Sequence, residues 1–331
     1  MQKIRWGVLS TAKIGRTKVI PAIQTSTHGE VVAICSRDQA SAQQVADELG
    51  IARAYGSYEA LLADPDINAI YNPLPNHLHV PWSVKALEAG KHVLCEKPIG
   101  LNAADVTPLI DAAKRFPHLK VMEAFMYRFH PQWQKSKALV TDGSVGQLRT
   151  IHTHFSYNSH EAENIRNNVA MGGGALMDIG CYGVSLSRYL FGAEPLRALG
   201  HITPYAGYDV DCFVSAILEF PQGNATIVAS TKIEPEQYVR ASGEAGSVFI
   251  PLPFNPVADT TTQILLKRDQ HQEEITLGSS DHYRNMADAF ALSILNEQPV
   301  PTPLSDAVAN MKIIDAIFAS AAQQQWVEIN L

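Results

Sequence analysis

The stretch "IRWGVLSTAKIG", residues 4–15, sets an apolar run against a loop of small residues and then a helical pattern. Strand, small-residue loop and helix in that order open a dinucleotide fold, where backbone N–H groups approach a pyrophosphate at a helix N-terminus. Of the usual GxGxxG glycines only the third survives, since the six positions read Ser10, Thr11, Ala12, Lys13, Ile14 and Gly15. Small Ser10 and Ala12 still permit a close approach, and Ser10 and Thr11 add hydroxyl donors. Ser10, Thr11, Ala12 and Ile14 are therefore candidate cofactor contacts. An ordinary strand-to-helix turn would look the same, so the loop alone leaves both readings open.

The pattern repeats outward from this stretch. Apolar runs at Ile4 to Leu9, Val31 to Cys35, Ala69 to Asn72, His92 to Cys95 and Lys120 to Ala124 alternate with helical patterns at 13–24, 39–49, 78–89 and 103–116. Gly50 and Gly90 follow two of those helices as left-handed terminators, and Asn102 is a candidate cap for the last. Runs without polar alternation predict a doubly wound parallel sheet buried on both faces. After about Ala124 the grammar changes. Strands expected at 148–157, 212–220, 225–233, 247–251 and 263–267 follow one another through short turns, which predicts an antiparallel or mixed sheet. Helices at 174–190, 282–295 and 304–324 are expected to cover one face of it. The other face then needs a partner, so a homodimer or higher homo-oligomer is expected. The boundaries are 1–124 for a dinucleotide-binding domain and 125–331 for substrate binding and oligomerisation.

Composition narrows the function. Asp plus Glu outnumber Lys plus Arg by 33 to 26 among 331 residues, with no basic block, which argues against nucleic acid or an anionic membrane surface. The N-terminal apolar run is too short for a signal peptide, and no later run is expected to span a membrane, so a cytoplasmic setting is expected. Four scattered cysteines without CxxC spacing read as reduced, buried thiols.

In a doubly wound sheet the ligand lies beyond the carboxyl ends of the strands. At the second such end, "AICSRD" places Ser36 and Arg37 where an NAD enzyme carries an acidic residue for the ribose. A hydroxyl and a planar guanidinium suit a 2'-phosphate, so NADP is favoured, while Asp38 keeps NAD possible. "YNPLPNHLHV", residues 71–80, stiffens the next crossing with two prolines. Pro73 and Leu74 would wall the nucleotide, with Asn76 capping the next helix. His79 would fall in that helix's first turn, facing the cofactor or the surface.

"EKP" at 96–98, "EAFMYRFHP" at 123–131 and "GGGALMDIGCY" at 172–182 together resemble the Gfo/Idh/MocA oxidoreductase family, in order and across essentially the whole chain. The family's helix motif DxxxH appears here as Asp178 followed four residues on by Tyr182, which is similar to the branch holding dimeric dihydrodiol dehydrogenases, NADP-dependent xylose dehydrogenases and glucose-fructose oxidoreductase. The resemblance implies a Rossmann-type domain plus a C-terminal α+β domain with a large open sheet. It also implies Glu96, Lys97 and Arg128 as cofactor contacts, and Lys97, Arg128, Asp178 and Tyr182 as substrate contacts. Arg166, before the glycine run, is a further substrate candidate.

On an α-helix Asp178 and Tyr182 share a face. Moving a hydride to or from a carbonyl carbon also requires a proton at oxygen, so a donor must stand within hydrogen-bond reach. A lysine cation about 4 Å from a phenol, at an effective dielectric of about 20, offers roughly 4 kcal/mol, or about three pKa units. The reading is Tyr182 as general acid/base with Lys97 tuning it; Lys97 as the proton donor stays open. Pro98 would fix the backbone there, and a cis Lys97-Pro98 bond is compatible with it. Asp178 would orient the pair or bind hydroxyls. His152, His154 and His160 invite a metal reading, but sheet-surface histidines are commoner and hydride transfer needs no metal. A cofactor sensor without turnover and an NAD-dependent glycoside hydrolase are the alternatives; retention of both Lys97 and Tyr182 argues against the first, and the missing histidine against the second.

Overall fold

The apolar run Ile4–Leu9 forms β1, in which Trp6, Val8 and Leu9 are wholly enclosed in the computed structural model of the chain. Around it lie β2 (Gly29–Cys35), β3 (Arg53–Tyr55), β4 (Ala69–Asn72), β5 (His92–Cys95) and β6 (Val121–Glu123). They pair in parallel in the order β3-β2-β1-β4-β5-β6. The order reverses direction at β1 and β4, which places a topological switch point beside the small-residue loop. Residues 3–161 and 163–331 are described here. They divide into one unit of Met1–Met126 with His282–Val308 and another of Tyr127–Asp281 with Ala309–Leu331.

Within the first unit β4 and β5 begin and end where the apolar runs predict. The edge strand β3 went unforeseen because its three residues, Arg-Ala-Tyr, are only half-buried and carry no apolar run. Asn102 accepts the N–H of Asp105, but the helix proper starts at Thr107, so Asn102 caps a preceding turn rather than the helix. The helix His282–Leu295 was expected over the second sheet and instead packs in the first unit. Its Met286 and Phe290 are fully buried, with the Phe290 ring 5.6 Å from that of Trp6. Amphipathic spacing shows that a face is buried, and it does not say against what.

The second unit is built on nine strands: β7 (Leu148–Asn158), β8 (Arg197–Thr203), β9 (Phe213–Phe220), β10 (Gly223–Ser230), β11 (Lys232–Gly243), β12 (Gly246–Ile250), β13 (Thr262–Arg268), β14 (His271–Leu277) and β15 (Val327–Glu328). Their order is β14-β13-β12-β11-β7-β10-β9-β8-β15. Every neighbouring pair is antiparallel except β7 with β10, so the sheet is mixed. The predicted strand 225–233 is two: β10 ends at Ser230 and β11 begins at Lys232, with the break at Thr231.

The helix Cys181–Phe191 lies against β7 and β10, and ten of its eleven residues are buried. Among the described residues, Val169–Phe191 is long and apolar enough to cross a membrane, contrary to the expectation that no run would be; 67% of its most apolar window is buried within the protein. A helix apolar all round is what a fully enclosed core position requires.

Candidate active site

At the end of β1, Ser10 adopts φ +90°, a left-handed conformation that glycine reaches freely and that costs a serine roughly 1–2 kcal/mol. Its Oγ accepts the Ala12 N–H at 3.2 Å, and its own N–H donates to the Cys35 carbonyl at 3.1 Å. The loop thus keeps the backbone path of a glycine turn with a hydroxyl in the glycine's place. Ser10, Thr11, Ala12 and Ile14 are all partly accessible along it.

At the end of β2, Ser36 is half-buried and Arg37 exposed. Asp38 is engaged locally: its carboxylate accepts the Ser41 N–H at 2.9 Å and the Ser41 hydroxyl at 2.6 Å, capping the helix Gln39–Leu49. Those hydrogen bonds hold its pKa below the ordinary carboxylate value.

The loops after β4 and β5 are joined through one imidazole. His79 is 1% exposed, and its ring nitrogens lie 2.7 Å from the Leu74 carbonyl and 2.7 Å from the Pro98 carbonyl. It was expected at the cofactor or on the surface, and it serves as an internal clamp. Two carbonyls would favour the doubly protonated ring, yet desolvation is the larger influence and lowers its pKa to about 4. Pro73 and Leu74 are buried as a wall segment, and Asn72 reinforces them by accepting the Leu74 N–H. Asn76 opens a single 3-10 turn, Asn76–Leu78, and the cap position of the helix His79–Glu88 is Leu78.

The Lys97-Pro98 bond is cis. On its far side the Ile99 N–H donates to Glu123 Oε1 at 2.7 Å, and Glu123 is 2% exposed. Glu96 accepts the hydroxyl of fully buried Tyr71 at 2.7 Å. Burial and the Glu96 carboxylate push the Tyr71 pKa well up, so that phenol stays protonated. Lys97 is half-buried between these fixed points. Glu123 was missed as a site residue; an acid ending a buried strand was the available signal.

In the second unit the helix bearing Asp178 and Tyr182 starts with a π turn, Leu176–Gly180, before the α-helical Cys181–Phe191. Asp178 Oδ2 accepts the Tyr157 hydroxyl at 2.7 Å and the Arg166 Nε–H at 2.9 Å. Tyr157, unforeseen, has its pKa raised by burial and then by the Asp178 charge. Tyr182 is 5% exposed in an aromatic group with Phe254 at 5.0 Å and Tyr127 and Phe155 at 5.8 Å. Arg128 donates to Ser185 Oγ at 2.8 Å and to the Tyr127 hydroxyl at 3.2 Å. The structure therefore brings Asp178, Arg166 and Tyr157 together, and Arg128 with Tyr127 and Ser185. His152 and His154 on β7 contact the hydroxyls of Thr226 and Ser156. No group of three or more His, Cys, Asp or Glu able to hold a metal occurs among the described residues.

Residues 4–125 match the group described as "Oxidoreductase family, NAD-binding Rossmann fold", and residues 133–249 match the "GFO/IDH/MocA C-terminal domain". The chain is 40% identical to an uncharacterised oxidoreductase, ORF334, of Rhizobium meliloti, over 98% of this chain and 99% of that one. It is 38% identical to D-xylose 1-dehydrogenase (NADP(+)) 2 of Haloferax volcanii, with the same coverage. Among solved structures it resembles the 3-ketoreductase KijD10 of Actinomadura kijaniata in complex with NADP and TDP-benzene, at a TM-score of 0.91 and 28% identity over 96% of this chain and 98% of that one. The chain belongs to the Gfo/Idh/MocA oxidoreductase family, carrying its Rossmann domain and its C-terminal domain, and its named relatives are oxidoreductases acting on CH–OH groups.

Because the folded pKa of His79 lies below its unfolded value of 6.5, the unfolded chain binds the extra proton first. Stability from this site is complete above pH 6.5 and is lost as pH falls towards 4, by about 3 kcal/mol in all. His79→Gln should flatten that part of the stability–pH curve, measured by urea unfolding at stepped pH. An unchanged slope would contradict a buried, neutral imidazole at this position.

Proposed function

We propose that the chain is an NADP-dependent dehydrogenase or reductase acting on a secondary alcohol or carbonyl of a sugar or related cyclic diol, with NAD as the weaker cofactor. The observation that carries the cofactor choice is the end of β2. Asp38 is committed to its helix cap, and accessible Ser36 and Arg37 are the groups offered to a ribose 2' substituent. A guanidinium and a hydroxyl fit a phosphate there and give a bare 2'-hydroxyl no acidic acceptor. The similarity to an NADP-linked D-xylose dehydrogenase and to a 3-ketoreductase supports the substrate class.

A bound nicotinamide dinucleotide supplies or accepts the hydride. The protein's own task is the proton. Tyr182 would give it to the substrate oxygen during reduction and take it back during oxidation, with Lys97 as the group that would hydrogen-bond that oxygen. Asp178, held by Tyr157 and Arg166, presents an acceptor for substrate hydroxyls. Ser10, Thr11, Ala12 and Ile14 would hold the pyrophosphate, and Pro73 and Leu74 would bound the nucleotide.

The accessible face of the nine-stranded sheet carries Ile217 at 36% exposure, His154 stacked on Tyr238, and Arg240 over Phe249. A second copy of the chain would cover this face, giving a homodimer or larger assembly. Four free, buried cysteines suit a cytoplasmic setting.

Arg37→Ala should weaken NADP binding by at least about tenfold, a loss of one charge-assisted contact, while NAD binding changes little. Equal losses for both would remove the 2'-phosphate assignment. Lys97→Met and Tyr182→Phe should each lower kcat by about two orders of magnitude or more with NADP affinity nearly unchanged, and Tyr182→Phe should abolish the alkaline-side ionisation of the pH–rate profile. A wild-type profile in Tyr182→Phe would exclude the phenol as acid/base. In sedimentation velocity the chain should run as a dimer or larger, and a monomer at all concentrations would contradict the sheet-face assembly.

A further inference from the structure

The helix that carries Asp178 and Tyr182 begins deep in the second unit, where its first N–H groups have no carbonyl of their own helix to bond. Two of them are satisfied from one residue. The Ala175 N–H donates to the Asp211 carbonyl at 2.6 Å, and the Leu176 N–H donates to Asp211 Oδ2 at 2.6 Å. The Gly174 N–H donates in turn to the Arg166 carbonyl at 2.9 Å, and the Asp178 N–H to the Gly174 carbonyl at 2.9 Å. Gly174 has φ +116°, and a Cβ at that position would overlap Asp211 Oδ1. The glycine is therefore required twice over: by its backbone angle, and because the carboxylate fills the space a side chain would take.

We propose that Asp211 is a positioning residue for the reaction, acting through Leu176 and Gly174 to fix the π turn from which Asp178 and Tyr182 project. The inference rests on the oxidoreductase reading above. Only this residue supplies both a backbone and a side-chain acceptor to the start of that turn among the hydrogen bonds described, and it lies 35 residues away in sequence from Leu176, outside the helix it holds. Losing it frees Leu176–Gly180 to relax towards ordinary α-helical winding, which rotates Asp178 relative to Tyr182. Burial raises the Asp211 pKa to about 7, against the opposing effect of the backbone donors. Acid and carboxylate each offer an oxygen to the Leu176 N–H, so asparagine is the conservative replacement and alanine the disruptive one.

The test compares the wild-type chain with Asp211→Asn and Asp211→Ala by hydrogen–deuterium exchange and by steady-state kinetics with NADP+ and D-xylose as the probe pair. Asp211→Ala should speed exchange of the amides beginning at Leu176 and lower kcat by about tenfold or more, with the KM for NADP+ within about twofold of wild type. Asp211→Asn should restore both. If Asp211→Ala does not fold, Asp211→Ser replaces it, its shorter hydroxyl leaving Leu176 without its acceptor. Wild-type exchange and kcat in the disruptive variant, or equal damage in asparagine and alanine, would overturn the assignment. A wild-type protein inactive with the probe pair would count against the sugar reading, and the exchange comparison would still decide the role of Asp211.

Discussion

A lysine at the end of a strand enclosed on both faces can be presented to a ligand only if the backbone around it is fully satisfied, because an unpaired buried amide or carbonyl costs about 1–3 kcal/mol. The turn after β5 meets this constraint from two directions. The His79 ring lies between the Pro98 and Leu74 carbonyls and, as a neutral imidazole, donates its one N–H to one of them, and Glu123 accepts the Ile99 N–H. Lys97 sits between these anchors, at the cis bond, with its charge felt by the buried imidazole. The loops after β4 and β5 and the end of β6 are thereby linked at the carboxyl ends of the strands, where open α/β sheets place their ligands.

The second unit answers an equivalent problem at a helix start. A helix buried almost all round cannot leave its first N–H groups to water, and Asp211 satisfies them from a distant segment. Along the π turn and the helix after it, Asp178 meets Tyr157 and Arg166, and Tyr182 lies in the aromatic group around Phe254. In both units the groups of chemical interest are held by neighbours that do no chemistry themselves.

What the sequence made legible follows from the range of the interactions involved. Strands buried on both faces must be apolar throughout, so β4 and β5 could be read to the residue, whereas β3 and the exposed edge strand β14 lack that signature. The position of Lys97, the proline after it and the loop after β1 are local features and were visible. The clamp role of His79 was not, since it depends on which carbonyls the fold brings to the ring. Glu123, Tyr157 and Asp211 act on partners 24, 21 and 35 residues away. The residues Asp178 and Tyr182 were legible from their motif, whereas the π turn at Leu176–Gly180 is announced by no local pattern. The helix His282–Leu295 shows the same limit at larger scale: its apolar face was evident, and its partner was not.

The central claim is that this chain moves a hydride between NADP and a sugar-like alcohol or carbonyl. The direct measurement is the absorbance of reduced nicotinamide when the purified protein is mixed with NADP+ or NAD+ and, in turn, pentoses, hexoses and trans-dihydrodiols. The account predicts substrate-dependent formation of NADPH with at least one of these, faster than formation of NADH. Absence of reduction with every compound, or a clear preference for NAD+, would contradict it.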